Sequence, residues 1–345
     1  MQSKPGQDKP ARRARSTEPG ELAILSQVRA RVTPKAPGLR LGIGDDCALL
    51  RLRPGEELAV TTDLSIAGRH FRLDWHPPES IGHRALARGL SDLAAMGARP
   101  LAAFLSLGLP RELTGAISAS AKSKTWISRF YSGLLSLADR SKTPLAGGDL
   151  AESPVALADI VLVGAVPRGR ALLRSGARPG HLLYVTGSLG GAAAALTMLA
   201  AIPGPLFIPK RPLSSLAPHL YPEPRLAQGL FLQRRRLATA AIDLSDGLST
   251  DLAHLCQESR VSAELDAARL PLHPAATLPQ ALDGGEDYEL LFTAAPGTHI
   301  PRSIAGVPVT RIGRILRRTR SRPAVTLRTA EGSRPLQPQG WEHFS

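Results

Sequence analysis

A chain of 345 residues, 43% apolar, is long enough for about two domains with their own hydrophobic cores. The net charge of +14 points to an anionic partner: nucleic acid, an anionic membrane surface or a phosphorylated ligand. Only 14 aromatic residues argue against an array of base-stacking platforms, and two cysteines exclude a disulfide framework or a four-cysteine zinc site.

Residues 1–18 are polar, basic and Pro-containing, and read as a disordered tail with no apolar leader segment. No apolar stretch approaches the roughly 18 residues of a membrane span, so a cytoplasmic protein without membrane contact is expected. Thr17 and Glu21 then open an amphipathic helix over 22–32. Strand 57–62 follows. Ser80 is placed as the cap of a helix ending at Met96, with Gly97 as its stop. Strand 101–109, a helix over 112–139, a short strand from Pro144 that stops at Gly147-Gly148-Asp149, and a long strand 156–166 complete the first half. The Arg- and Gly-rich stretch 167–179 is the expected boundary between domains 19–167 and 168–345. The second half restarts with strand 182–186, a Gly-Ser-rich turn and an Ala-rich helix, then a Pro-rich loop over 203–223. A helix over 225–237, strand 239–243, helix 248–258 and strands 261–265, 288–293, 307–315 and 324–328 follow. Strands and helices mixed in this way suggest an α/β and an α+β domain.

The acidic residues concentrate in short Gly/Ser/Thr loops: Asp45-Asp46, Asp63 after Thr61-Thr62, Asp92 after Ser91, Asp149 after two glycines, Asp243 and Asp246 around Ser245, and Glu286-Asp287 after Gly284-Gly285. Each could simply cap a helix or close an Asx-turn. Together they suit hard, oxygen-ligated cations, with glycine amides for phosphate oxygens. A P-loop, a protein-kinase signature, an EF-hand and a zincin motif are all missing, and Cys47 stands where a dinucleotide fingerprint needs its third glycine. Cys47 reads as a small buried residue.

The segments GIGDDCALL (42–50), TTDLSIAGRHF (61–71), LSDLAAMGARP (90–100), GGDL (147–150), LLRSGARPG (172–180), YVTGSLG (184–190), AIDLSDGLSTDL (241–252) and GGEDYELLFT (284–293) resemble the thiamine-monophosphate kinase family. That family lies within the ATP-binding superfamily of aminoimidazole ribonucleotide synthetase. The resemblance runs in order from about residue 20 to 345, and LSDLAAMGA with GGEDYEL is its most specific part. It implies an N-terminal α/β domain whose sheet pairs across a homodimer, and a C-terminal α+β domain. It implies transfer of a phosphoryl group from ATP to thiamine monophosphate, assisted by several Mg²⁺ ions. By the same resemblance Asp46, Thr61, Thr62, Asp63, Asp92, Asp149, Asp243 and Asp246 are similar to magnesium ligands. Gly148, Asp149, Arg174 and Ser245 are similar to ATP contacts, and His70, Glu286 and Trp341 to thiamine monophosphate contacts. No residue is expected to act as a general base, since the acceptor is already a phosphate anion. Gly89 and Leu150 depart from the residues common in that family, and neither is an acidic position. A nucleic-acid-binding protein is the competing class; net charge alone supports it, with no recognition motif. Five Lys or Arg in residues 1–20 and eight Arg in 311–345 place much of the charge at the two ends, away from the motifs.

Overall fold

The computed structural model describes residues 21–32, 36–114, 125–202 and 214–341. The tail reading for 1–18, the Thr17 cap and residues 203–213 of the Pro-rich loop lie outside these.

The N-terminal half contains α1 (Glu21–Arg31), the ribbon β1 (Leu39–Leu41) and β2 (Leu49–Leu50), then β3 (Glu56–Ile66), α2 (Pro78–Ala95), β4 (Arg99–Leu109), α3 (Trp126–Ser141), β5 (Leu145–Glu152) and β6 (Leu157–Pro167). The last four strands form one sheet in the order β3-β6-β4-β5, with only β4 and β5 parallel. The apolar faces of α2 and α3 cover one side, burying Leu86, Leu90, Leu93, Phe130 and Leu134 against Leu105, Ile160 and Leu162. The two helices approach closely because Gly82 and Gly133 carry no Cβ; one there would strike the Phe130 and Glu79 carbonyls. The opposite face is covered in part by the β1–β2 ribbon and the residue beyond it, with Leu50 and Leu52 packed on Leu101, Val163 and Ala165.

Several boundaries differ from the sequence reading. Strand β3 runs on to Ile66 instead of stopping at Thr62, because β6 pairs with it along its whole length, so Asp63 lies within a strand rather than in a loop. Helix α2 starts at Pro78, whose fixed φ suits a first helical position, so Ser80 sits inside and its hydroxyl donates to the Pro77 carbonyl at 3.0 Å. Of the expected helix over 112–139, the described residues show a single turn, Arg111–Leu113, and α3, which begins after Thr125, whose side chain accepts from the Ser128 N–H at 3.2 Å; residues 115–124 lie outside the described ones. Strand β5 continues through Gly147, Gly148 and Asp149 to Glu152 because β4 offers it a parallel ladder. Cys47 is exposed rather than buried, since the loop between β1 and β2 rests on the sheet only through its apolar neighbours.

The C-terminal half adds β7 (Leu182–Thr186), α4 (Gly191–Ala200), α5 (Ala217–Leu220), α6 (Leu226–Arg235), β8 (Ala240–Asp243), α7 (Leu248–Ser259), β9 (Val261–Asp266), α8 (Leu278–Asp283), β10 (Leu290–Ala294), β11 (Ser303–Ile304), β12 (Val307–Arg317), β13 (Val325–Thr329) and β14 (Gly332–Pro335). Its sheet runs β14-β13-β9-β12-β7-β10-β8, with β11 paired to β12. Helix α8, absent from the sequence reading, is six residues held by a Thr277–Gln280 capping box. Ala94 and Ala95 at the end of α2 share a small core with Leu232 of α6 and Ala241, Leu290 and Phe292 of the second sheet. Helix α2 is therefore packed against both halves, and the residues near its C-terminal end meet the end of β8. No helix among the described residues is long and apolar enough to cross a membrane.

Candidate active site

Residues spaced by four on a helix share one face. On α2 this brings Arg84, Arg88 and Asp92 into line, and Ser91 beside them donates its hydroxyl to Asp243 Oδ2 at 2.7 Å. Asp243 ends β8, and Asp63 lies on the adjoining face of β3, where Arg88 reaches it at 3.3 Å. The Thr61 hydroxyl donates to Asp92. A cleft of about 520 Å³ opens over this cluster. Its lining includes Asp63, His70, Arg88, Asp92, Asp243, Ser245, Asp246, Glu286, Tyr288 and Trp341.

Carboxylates gathered out of water repel one another and resist ionisation. Burial pushes Asp63 up to about 6 against the pull of Arg88. Burial, then the neighbouring Asp243, pushes Asp92 up to about 6, although the Thr61 hydroxyl and the Arg174 and Arg88 charges oppose this. Asp243 is raised as well, by burial first and by Asp63, with the Ser91 hydroxyl and Arg174 opposing. Arg174 thus borders the cluster, held by its backbone carbonyl, which accepts from the Ser259 hydroxyl at 2.6 Å.

The 243–247 loop is shaped by a residue the sequence reading passed over. One oxygen of the buried Asp251 accepts from the backbone N–H groups of Ser245, Asp246 and Gly247, each at 3.1 Å. Its burial and the nearby Asp243 and Asp246 push its carboxyl up to about 8, against those N–H groups. The C-terminal segment is tied to the same loop: Gly340 N–H donates to Thr250 Oγ1 at 3.0 Å and Trp341 N–H to the Asp246 carbonyl at 3.1 Å. This carries the Trp341 ring to the cleft.

Three acidic residues of the 284–291 segment take three different roles, because Glu286 and Tyr288 adopt left-handed backbone angles of 58° and 49° and turn successive side chains apart. Asp287 leaves the cleft and accepts from the Gly190 and Ala192 N–H groups at 2.7 and 3.3 Å, capping α4. Glu289 is held by Arg225 at 2.5 Å and by the Thr186 hydroxyl at 2.6 Å. Glu286 alone faces the cleft, paired with Arg84 at 2.5 Å. Burial would raise its carboxyl, but Arg84, His219 and Arg88 outweigh that and hold it well below the usual carboxylate range. His70 Nδ1 accepts from the Ile66 N–H at 3.1 Å, which leaves the proton on Nε2 of a ring lining the cleft.

The structure therefore brings together Thr61, Asp63, Asp92, Asp243, Ser245 and Asp246, with Arg174 at their border and His70, Glu286 and Trp341 further along the same cleft. It places four expected residues elsewhere. Thr62 lies on the other face of β3, in the exposed row of Leu58, Val60 and Leu64, as strand alternation requires. Gly148 and Asp149 are on β5, the opposite edge strand from β3 and three strand spacings away, on the order of 14 Å. Asp46 is exposed in the β1–β2 loop, which packs against the start of β5.

The family model for the N-terminal domain of AIR synthase related proteins matches residues 44–171, and that for the C-terminal domain matches residues 178–300. The thiamine-monophosphate kinase of Escherichia coli (strain K12) is 39% identical over 314 residues, covering 86% of this chain and 90% of that protein. The crystal structure of thiamine-monophosphate kinase from Stenotrophomonas maltophilia K279a is 38% identical, with a TM-score of 0.76 over 89% of this chain and 96% of that one. AaThiL complexed with AMPPCP and TMP is 26% identical, with a TM-score of 0.70 over 97% of this chain and 100% of that one. Two contiguous domain matches, one relative close in sequence along nearly its whole length and the shared fold agree: the chain belongs to the thiamine-monophosphate kinase family.

Proposed function

We propose that this thiamine-phosphate kinase converts ATP and thiamine monophosphate to ADP and thiamine diphosphate by direct in-line transfer, with several Mg²⁺ ions held by its clustered carboxylates. The observation that carries the reading is the cluster of Asp63, Asp92, Asp243 and Asp246, hard oxygen donors at the floor of a cleft. The first three are pushed up by burial, in the way a divalent cation would relieve. Asp63, Asp92, Asp243 and Asp246, with the Thr61 hydroxyl, would hold the ions there. Asp46, Thr62 and Asp149 complete the proposed ligand set from the outer side of the sheet. Bound Mg²⁺ supplies screening between two polyanionic substrates.

The chain's own groups bind and orient. Ser245, Gly148 and Asp149 are proposed contacts of ATP, and Arg174 presents a planar guanidinium to its phosphates. Glu286 and the Nε2–H of His70 face the organic part of thiamine monophosphate, and the Trp341 ring covers its cationic thiazolium. The acceptor phosphate is mostly a dianion at neutral pH, with a second pKa near about 6, so no protein base is needed. One of its oxygens bonds to the γ-phosphorus as the bond from that phosphorus to the β–γ bridging oxygen breaks, and ADP leaves with that electron pair. The division at 167/168 separates the half that supplies Thr61, Asp63 and Asp92 from the half that supplies Asp243, Ser245 and Glu286.

The outward row Leu58, Val60 and Leu64 on edge strand β3 fits pairing with a second copy of the chain. The test of function is thiamine diphosphate formation from ATP, Mg²⁺ and thiamine monophosphate. No product from the wild type overturns the reading. A phosphoprotein trapped with labelled ATP alone overturns direct transfer.

A further inference from the structure

Beside Glu286, in the wall of the same cleft, two buried histidines stand in series. His76 Nε2 lies 2.9 Å from His219 Nε2, and His219 Nδ1 lies 3.3 Å from Glu286 Oε2. The protons in this chain can be assigned. The Arg72 carbonyl already accepts from two backbone N–H groups, those of Trp75 and His76 at 3.2 and 2.9 Å. His76 Nδ1 lies 3.1 Å from both that carbonyl and the Arg72 N–H; with the carbonyl already engaged, the N–H makes the nitrogen an acceptor. His76 then carries its proton on Nε2 and donates it to His219 Nε2. His219 in turn carries its proton on Nδ1 and donates it to Glu286. The reverse assignment would set a lone pair of His219 against the carboxylate; Arg84 Nη1, also 3.3 Å from Nδ1, already donates to the His219 carbonyl. Arg84 closes the arrangement from the other side, reaching Glu286 Oε1 and the His219 carbonyl. Burial lowers both histidines, His76 to about 3, which keeps them neutral and each a one-way donor.

We propose that His219, oriented by His76, is a positioning residue for thiamine monophosphate: it fixes the plane of the Glu286 carboxylate so that the remaining lone pairs receive an N–H of the substrate's aminopyrimidine. This rests on the reading of the cleft as the thiamine monophosphate site. A carboxylate gripped on Oε1 by Arg84 and on Oε2 by His219 cannot rotate, and Glu286 lines the cleft with a quarter of its side chain exposed, each oxygen keeping acceptor capacity. A single charge-assisted bond held in register is worth roughly a tenfold change in affinity or more.

The asparagine amide nitrogen occupies the place of histidine Nδ1, and the glutamine one that of Nε2. The experiment measures steady-state constants for H219N, H219Q, H219A and H76A against wild type, with thermal unfolding of each. H219N, which keeps the donor to Glu286, is expected to hold KM for thiamine monophosphate within about threefold of wild type. H219Q and H219A raise it about tenfold, with KM for ATP unchanged. H76A gives an intermediate rise. A purely structural role predicts instead that H219N and H219Q fall together, or that KM for ATP moves with that for thiamine monophosphate, and either result overturns the proposal. A wild type that forms no thiamine diphosphate overturns the underlying function instead, so the two failures are distinguishable.

Discussion

Replacing Asp92 with asparagine should make the metal-free protein more stable while removing its activity. Asp92 shares its surroundings with Asp63 and Asp243, and burial with the Asp243 charge raises its carboxyl from 3.8 to about 6. The folded state thus holds this proton more tightly than the unfolded chain. Stability falls as pH rises from 3.8 toward 6 and stays reduced above that. At about 1.36 kcal/mol for each unit, ionised Asp92 costs the fold about 3 kcal/mol at neutral pH. Asparagine keeps an oxygen for the Thr61 hydroxyl and removes the charge. Urea unfolding in excess chelator at pH 7.5 should show Asp92→Asn more stable than wild type by about 2–3 kcal/mol, and the gain should vanish near pH 4. Thiamine diphosphate formation should fall by about 100-fold or more, as expected of a proposed ligand to the ions that would screen the transferring phosphoryl group. A variant less stable than wild type in chelator, or a gain independent of pH, would refute the reasoning that Asp92 is held at an energetic cost for its chemistry.

Three further outcomes follow from other parts of the molecule. His83 is buried, donates Nε2–H to the Pro222 carbonyl at 2.8 Å and is lowered by burial to about 4, so its neutral form supports the fold above 6.5 and that support is lost as pH falls toward 4. Relative to His83→Gln, wild type should lose about 2 kcal/mol between pH 6.5 and pH 5, read by urea unfolding at each pH; parallel curves would sink the assignment. Val60→Asp, on the exposed row of β3, should leave the fold intact and shift the light-scattering mass to that of one chain of 36.6 kDa; an unchanged mass removes β3 as the pairing edge. Trp341→Ala should raise KM for thiamine monophosphate between about twofold and thirtyfold, as the loss of a cation–π contact of about 0.5–2 kcal/mol implies, with KM for ATP steady.

The parts of the fold legible in the sequence are those where local signals and packing agree. Strand 182–186 is continuous in apolar and β-branched character, and the helix expected over 248–258 begins after a glycine; the structure has the first unchanged and ends the second one residue later, at Ser259. Where a partner strand decides, local reading falls short. Gly147 and Gly148 look like an ending, yet the ladder to β4 carries β5 through them. Within the site, the clustered carboxylates were legible as acidic residues beside Ser, Thr or Gly in a chain this basic, although Asp63 and Asp92 lie on a strand and a helix rather than in loops. The residues that hold them were not. Asp251 acts on three amides up to six residues before it, and His76 and His219 meet across 143 positions of sequence. The exception is α2, where the four-residue spacing of Arg84, Arg88 and Asp92 places all three on one face without any tertiary information.

That spacing also explains how a chain of net charge +14 presents a site built of carboxylates. Along one face of α2 the sign changes from the paired cations Arg84 and Arg88 to the anion Asp92, in the space of two turns. Glu286 and Asp63 partly neutralise the two arginines, while Asp92, Asp243 and Asp246 are left to the Arg174 side of the cleft. The cleft is therefore polarised along its length. Its arginine end suits an organic substrate held by fixed hydrogen bonds, and its carboxylate end suits phosphates only when cations come with them. Under the reading proposed above, the aminopyrimidine would lie toward Glu286 and the acceptor phosphate toward the cation-loaded carboxylates, so the charge order along one helix would orient the acceptor toward the transferred group.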